Sequence, residues 1–313
     1  MTVLSFCAHT EQDIRRSRTR AQFEEYIVDI QKCGEMPAML DIIGTPIKDY
    51  IKKYGKPTRI ERNEYGFTWY VYAKDYNRFL LVGVAGVTVV GAYSNSKLLS
   101  YKEIKLNTSK AAVRAILGTP LKYIRRDNLV HILNDADQRD YFESGDKFIV
   151  VFYDILKGSS VTGILIVPKA KEIRALLDRP ALDDKAVLCY QRVSLDLVNA
   201  IRVRNGLNKL ASDAKNTKLA ISRSKDMRDR GYFSHYTPEG TSPFDQARKM
   251  GIKFKHMGEN ISFGNHNAIF CHESFMNSAG HRAIILKAAY QKIGVGVAAG
   301  GDRYVLVTQE FTG

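Results

Sequence analysis

The chain has 313 residues, of which 45% are hydrophobic and 26% charged, with 8 prolines. That length allows two domains of ordinary size, and that composition excludes collagenous, low-complexity and globally disordered chains. The net charge of +14 and pI near 9.5 favour an anionic environment: nucleic acid, acidic lipid or an anionic wall polymer.

The opening stretch, MTVLSFCAHTEQDIRRSRTR, is a poor secretory signal: it lacks a basic start, and its short apolar run soon meets His9, Glu11 and Asp13. Residues 1–39 are read as an N-terminal extension. The longest uncharged apolar run is Phe79–Tyr93, with 15 residues and three glycines. It is short for a membrane-spanning helix and reads as two strands around a turn at Ala85-Gly86. No transmembrane segment is expected.

An internal repeat fills much of the first half. IGTPIKDYIKKYGKPTRI at Ile43–Ile60 aligns with LNTSKAAVRAILGTPLKYI at Leu106–Ile124. Each copy predicts a short amphipathic helix that stops at Gly-x-Pro. β-rich sequence follows each: FTWYVYAK and FLLVGVAGVTVVGAYS, then KFIVVFYDIL and SSVTGILIVPK, with a polar insert around Asn134–Tyr141 in the second. Residues 40–168 are therefore expected to form a duplicated domain of helix plus antiparallel sheet.

KAKEIRALLDRPALDDKAV, within a linker over 169–188, predicts a helix and a turn. From Cys189 the sequence turns helical, with Leu195, Val198 and Ile201 on one face, and KLAISRSKDMRDRGYF supplies a second helix. The chain closes with two strands around Gly300-Gly301. Residues 189–313 form the second expected domain, and the fold class is α+β. Cys7, Cys33, Cys189 and Cys271 show neither CxxC nor zinc-finger spacing, and free thiols are expected, the last two packed as small apolar residues.

Five of the seven histidines fall between 235 and 281, together with Glu259 and Glu273. Histidine with carboxylate is what a divalent metal or a proton-transfer site requires. His235, Glu259, Glu273 and His281 form the candidate set. Glu273 and His281 are eight positions apart, roughly 12 Å of rise and about 80° of rotation on an unbroken helix. Asn277-Ser278-Ala279-Gly280 can break that helix and turn His281 back. The zincin HExxH and the GxSxG elbow are absent. His256, His266 and His272 are expected at the surface. The alternative roles for Glu259 and Glu273 are general base on a bound water, or partners that hold a histidine ring in place.

These residues carry a resemblance. NAIRVRNGL, SKDMRDRGYFSH, GENIS, HESFMNSAGHRAIIL and the closing GVGV…YVLVTQEF, in that order, resemble the bacterial form of the CAP superfamily (cysteine-rich secretory proteins, antigen 5 and pathogenesis-related proteins). The first half resembles the CAP-associated N-terminal domain, with Asn107 standing where the first copy has Gly44. The resemblance implies a C-terminal α-β-α sandwich with a cleft. It also implies a tetrad of His235, Glu259, Glu273 and His281, in which the two histidines hold a divalent ion, zinc first, with no organic cofactor. Phe275 and Ala279 depart from the family's tryptophan and proline.

The leading expectation is an extracellular or cell-envelope binding module, with an anionic wall polymer, a lipid or a surface protein as partner. The competing one is a metal-dependent hydrolase using Glu259 or Glu273 as general base. A nucleic-acid-associated protein rests on charge alone. Export follows from the resemblance and is not visible in the N-terminus, so a cytoplasmic location stays open.

Overall fold

The computed structural model describes residues 42–299 and 304–313. The basic run at 15–20, Cys7, Cys33 and the expected turn at Gly300-Gly301 lie outside the described residues.

Each copy of the repeat opens with an eight-residue helix, α1 (Ile47–Tyr54) and α2 (Lys110–Leu117), and each helix ends where a glycine enters the left-handed region, Gly55 at φ 83° and Gly118 at φ 88°. The N–H groups of these glycines close on Ile51 O and Arg114 O, as a helix C-terminus requires. The substitution of Asn107 for the glycine has a backbone reason. Gly44 has φ 87° and Asn107 φ 67°, and asparagine tolerates that region better than most side chains.

The first copy continues as β1 (Arg59–Arg62), β2 (Thr68–Tyr72), β3 (Leu80–Ala85) and β4 (Thr88–Ser94). The second adds β9 (Arg139–Ser144), β10 (Lys147–Asp154) and β11 (Ser160–Pro168). Between the copies lies a small hairpin, β5 (Ser100–Tyr101) with β6 (Ile104–Lys105). All seven larger strands join one antiparallel sheet in the order β1-β2-β3-β4-β11-β10-β9, so the last strand of each copy meets the other at the centre. One difference from expectation is local. The first strand after the second copy's Gly-x-Pro stop does not join the sheet. It forms a separate hairpin, β7 (Tyr123–Arg126) with β8 (Leu129–Ile132).

The strands read as nearly continuous apolar runs because both faces of this sheet are covered. Val82, Val84, Ile149, Val151 and Ile164 pack under Ile47, Tyr50 and Val113 of α1 and α2. Trp69, Val71, Leu81, Val150 and Leu165 face the other way, into a core shared with the second half of the chain.

That core is built on α4 (Asp184–Arg204) and α7 (Ala268–Met276), which lie between the seven-stranded sheet and a second sheet. The second sheet has the order β12-β14-β15-β13, from β12 (Ala211–Ser212), β13 (Met257–Phe263), β14 (Lys292–Ala299) and β15 (Val305–Thr312). Ile293, Val295, Val297, Val307 and Phe311 meet the α4 and α7 side. The opposite face takes α5 (Ala214–Asp229). A Cβ on Gly294 would stand 2.1 Å from Asn216 C, and one on Gly296 2.1 Å from Ala220 C, so only glycine at both lets α5 lie this close. This is the α-β-α sandwich. Two short helices, α6 (Pro243–Lys249) and α8 (Ala279–Ile285), complete it.

The segment over 169–188 carries the helix expected in it. Its helix α3 (Lys169–Leu177) buries Glu172, which accepts from Tyr65 Oη at 2.7 Å and Tyr141 Oη at 3.0 Å. The helix is held because those two phenols need a buried acceptor. Cys189 and Cys271 are free and buried, and burial pushes both thiols up, Cys271 to about 11.

Candidate functional site

Arg223 organises the site. It occupies the buried stripe of α5 that Leu219, Ala220 and Met227 also occupy, and its side chain is fully buried. The guanidinium Nε donates to Glu259 Oε2 at 3.0 Å. Nη1 donates to Tyr232 Oη at 3.0 Å, and Nη2 to the backbone carbonyls of Ser234 at 2.7 Å and His235 at 2.9 Å. One buried cation thus fixes both a strand carboxylate and the loop that carries His235. Tyr232 in turn donates to Asp226.

Glu259, on β13, is buried and receives His235 Nδ1 at 2.7 Å on its other oxygen. Burial alone would raise its pKa. The hydrogen bonds from His235 and Arg223 outweigh burial and hold it below the usual carboxylate range. A hydrogen bond from Nδ1–H fixes the His235 tautomer and leaves Nε2 with the ring's lone pair.

His281 stands at the start of α8, after the break at Ser278 that turns the chain between α7 and α8. Its ring packs at 62° to Phe275, with centroids 4.9 Å apart. Burial lowers its pKa, and the charge of His235 lowers it further, so the two imidazoles sit in one electrostatic neighbourhood. Asn260, beside Glu259 on β13, donates to His281 O at 3.4 Å and Gln309 Oε1 at 3.3 Å.

The structure does not bring Glu273 to this group. Its carboxylate is fully buried against the first half of the chain, where Tyr93 Oη donates to Oε1 at 2.7 Å and Thr162 Oγ1 to Oε2 at 2.7 Å. Gly163 makes the space, since a Cβ there would stand 2.7 Å from Oε1. Burial raises the pKa of Glu273 despite these two donors. Around it, Arg204 Nη1 donates to Asn95 O and Thr162 O at 2.9 Å each, and Asn277 bridges Tyr153 O and Ile155 N. This carboxylate is part of the junction between the two halves.

Two histidines expected at the surface are not there. His272 is wholly buried, and its pKa falls to about 3 because burial, then the nearby Arg204 charge, disfavours the imidazolium. His266 packs on Phe270, ring centroids 4.3 Å apart, and lies 3.7 Å from Glu172. His256 is exposed.

Glu310 belongs to the site and lies inside the closing YVLVTQEF motif, though it was not among the candidate site residues. It lies directly opposite Glu259 in the β13–β15 register and is fully buried. Burial and the facing Glu259 charge keep it protonated well above the usual range. Its strand carries a polar seam under α5: Ser224 Oγ donates to Thr308 Oγ1 at 2.8 Å, and Asn216 Nδ2 to Thr312 Oγ1 at 2.7 Å. An arginine inside the apolar stripe of α5 and a glutamate alternating with Thr308 and Thr312 were the available signals.

Among the described residues, no group of three or more His, Cys, Asp or Glu side chains is arranged to hold a metal ion. The donor set at the site is two imidazoles, one of them oriented by a carboxylate. That is one protein ligand fewer than the three of a catalytic zinc site.

The α-β-α sandwich, the paired histidines and the duplicated sheet define a CAP module preceded by a CAP-associated domain. Residues 195–311 match the cysteine-rich secretory protein (CAP) family model, and residues 43–175 match the CAP-associated N-terminal model. The chain thus carries both domains, in that order. It is 27% identical over 277 residues to membrane protein YlbC of Bacillus subtilis (strain 168), covering 83% of this chain and 80% of that protein. Protein YkwD of the same organism is 38% identical over 128 residues, which are 41% of this chain and about half (49%) of the relative. An extracellular protein containing an SCP domain from Bacillus anthracis str. Ames superposes with TM-score 0.77 at 25% identity, over 88% of this chain and 95% of that one. A cysteine-rich secretory protein from Staphylococcus aureus subsp. aureus Mu50 has the same fold, with TM-score 0.70 at 18% identity over 89% and 95%.

Proposed function

We propose that this protein is a binding module of the cell envelope or extracellular space, and that His235 and His281 hold a divalent ion, zinc first, at its CAP site. The observation that carries this reading is the His235 Nδ1 contact with Glu259, itself clamped by Arg223. It presets one imidazole as a ligand beside a second whose pKa is already lowered. The names of two relatives, one a membrane protein and one extracellular, support the location. No helix among the described residues is long and apolar enough to cross a membrane.

Binding is favoured over hydrolysis because the two candidate bases are already engaged. Glu259 accepts from His235 and Arg223, and Glu273 accepts from Tyr93 and Thr162 at a buried junction. A general base needs reach to a water's proton. The test is zinc titration of the wild type, His235→Ala and His281→Ala, alongside ester and phosphodiester hydrolysis assays with and without zinc. Zinc uptake lost in either variant, with no turnover, is the expected outcome. Zinc-dependent turnover abolished by Glu259→Gln would replace the module with a hydrolase. Unchanged uptake in both histidine variants would remove the metal from the site.

A further inference from the structure

The second copy of the repeat departs from the first at the β7–β8 hairpin. In the first copy the strand after Gly-x-Pro, β1, pairs with β2 and closes the sheet edge. In the second copy the corresponding strand, β7, pairs only with β8, across a turn at Asp127-Asn128 with Asp127 at φ 52°. Its register sets Tyr123 opposite Ile132 and Arg125 opposite Val130, and all four lie on one face because side chains alternate along a strand. The other face anchors the hairpin. There Ile124 is buried, and Arg126 Nη1 donates to Asp178 Oδ2 at 2.8 Å.

The outward face is apolar and open. Tyr123 is 54% exposed, Val130 52% and Ile132 63%. Arg125 is exposed among them, with Lys122 just before β7 and Asp127 in the turn also exposed. A monomeric protein rarely leaves such side chains grouped in water without a partner.

The charge decides which partner. A second copy of this chain would set Arg125 near its own image and bring two +14 molecules together. An anionic lipid leaflet accepts both features: the aromatic and aliphatic side chains enter the headgroup–acyl boundary while lysine and arginine stay at the phosphates. Four strand residues span about 13 Å, enough for the roughly 5–10 Å depth of interfacial insertion. We propose that the β7–β8 hairpin docks the protein on an anionic membrane surface through Tyr123, Val130 and Ile132, framed by Lys122 and Arg125.

The experiment is co-sedimentation of the full chain with vesicles of phosphatidylcholine alone or mixed with phosphatidylglycerol. Binding only to the anionic vesicles is expected, weakening as salt rises. The double variant Val130→Asp/Ile132→Asp should lower partitioning ~10-fold or more, since it removes the apolar contribution. Arg125→Glu should lower it ~30-fold, at about 1 kcal/mol for each charge lost and again for its reversal. These positions face solvent, so thermal unfolding should be unchanged, and Phe263→Asp, an exposed site on β13, should bind as the wild type. In Ile132→Trp, added emission should shift to the blue on anionic vesicles, against the constant signal of buried Trp69. Equal binding by the wild type and the double variant would assign attraction to basic surface elsewhere and overturn the proposal. So would no binding to anionic vesicles, or a wild-type dimer that the double variant converts to monomer.

Discussion

Tyr93 and Glu273 are joined by a 2.7 Å hydrogen bond that crosses from the central strand of the duplicated sheet to a helix of the CAP sandwich, 180 positions away. A shared apolar core surrounds the contact, so the two halves are expected to unfold as one cooperative body. Removing the donor leaves a buried carboxyl oxygen without its partner. Tyr93→Phe is expected to cost about 1–3 kcal/mol by denaturant unfolding, in a single transition that reports both halves together. Gly163→Ala forces the carboxylate to move and should cost a similar amount. Two separated transitions in the wild type would show that the halves unfold independently.

The guanidinium of Arg223 offers a second test. Arg223→Lys keeps the charge and loses the fork that reaches Glu259, Tyr232 and two carbonyls at once. Breaking a buried charged pair outright, as in Arg223→Ala, costs about 3–5 kcal/mol. The lysine variant should fall between that and the wild type, and amide exchange at residues 232–236 should rise in it before any other segment changes. Uniform exchange across the domain would mean that the arginine supports the fold and not the His235 loop.

Much of this architecture was legible because it is local. The Gly-x-Pro stops, the strands of the repeat around Gly86 and the break before His281 each follow from residue conformation within a few positions. The place of His281 was legible for the same reason, since its motif sits at the start of α8. The direction of Glu273 was not, because its partners Tyr93 and Thr162 come from another sheet far away in sequence. The burial of His272 depends on the same junction, where its Nε2 lies 3.5 Å from Asn95 Nδ2. Diversion of β7 from the sheet was hidden by a repeat that predicts the first copy's pairing for the second.

Glu64 gives the fold a pH dependence of known sign. It faces the junction beside Trp69, Cys189 and Tyr190, one carboxyl oxygen is buried without a partner, and burial, followed by the Glu172 charge, pushes its pKa from 4.5 to about 8. In acid, folded and unfolded states are both protonated. Between 4.5 and about 8 the unfolded chain releases a proton that the folded chain keeps, so the Glu64 contribution falls as pH rises through that window, while His272, lowered to about 3, gives the opposite slope below 6.5. Glu273, also raised, adds to the Glu64 slope. Glu64→Gln should flatten it, gaining ~2 kcal/mol or more over wild type near the upper end of that window and little near the lower end, at about 1.4 kcal/mol per pKa unit. Urea midpoints across the window measure this, and parallel profiles for the two proteins would exclude Glu64 as the source.

Zinc affinity should show both the contribution of Glu259 and a dependence on acid. Glu259→Gln removes the carboxylate that orients His235, and loss of such a partner weakens metal binding about 10–100-fold. Both rings must be neutral to bind, and a free imidazole titrates near pH 6.5. Affinity is therefore expected to fall ~10-fold or more between about pH 7.5 and about pH 5.5. The fall should be gentler than two free imidazoles would give, because burial and the neighbouring His235 charge keep His281 neutral further into acid. Calorimetric titration of the wild type and Glu259→Gln at both pH values reads the two effects separately. Binding that is tight and pH-independent would require ligands other than these two histidines, and equal affinity in the Gln variant would show that the carboxylate orients nothing.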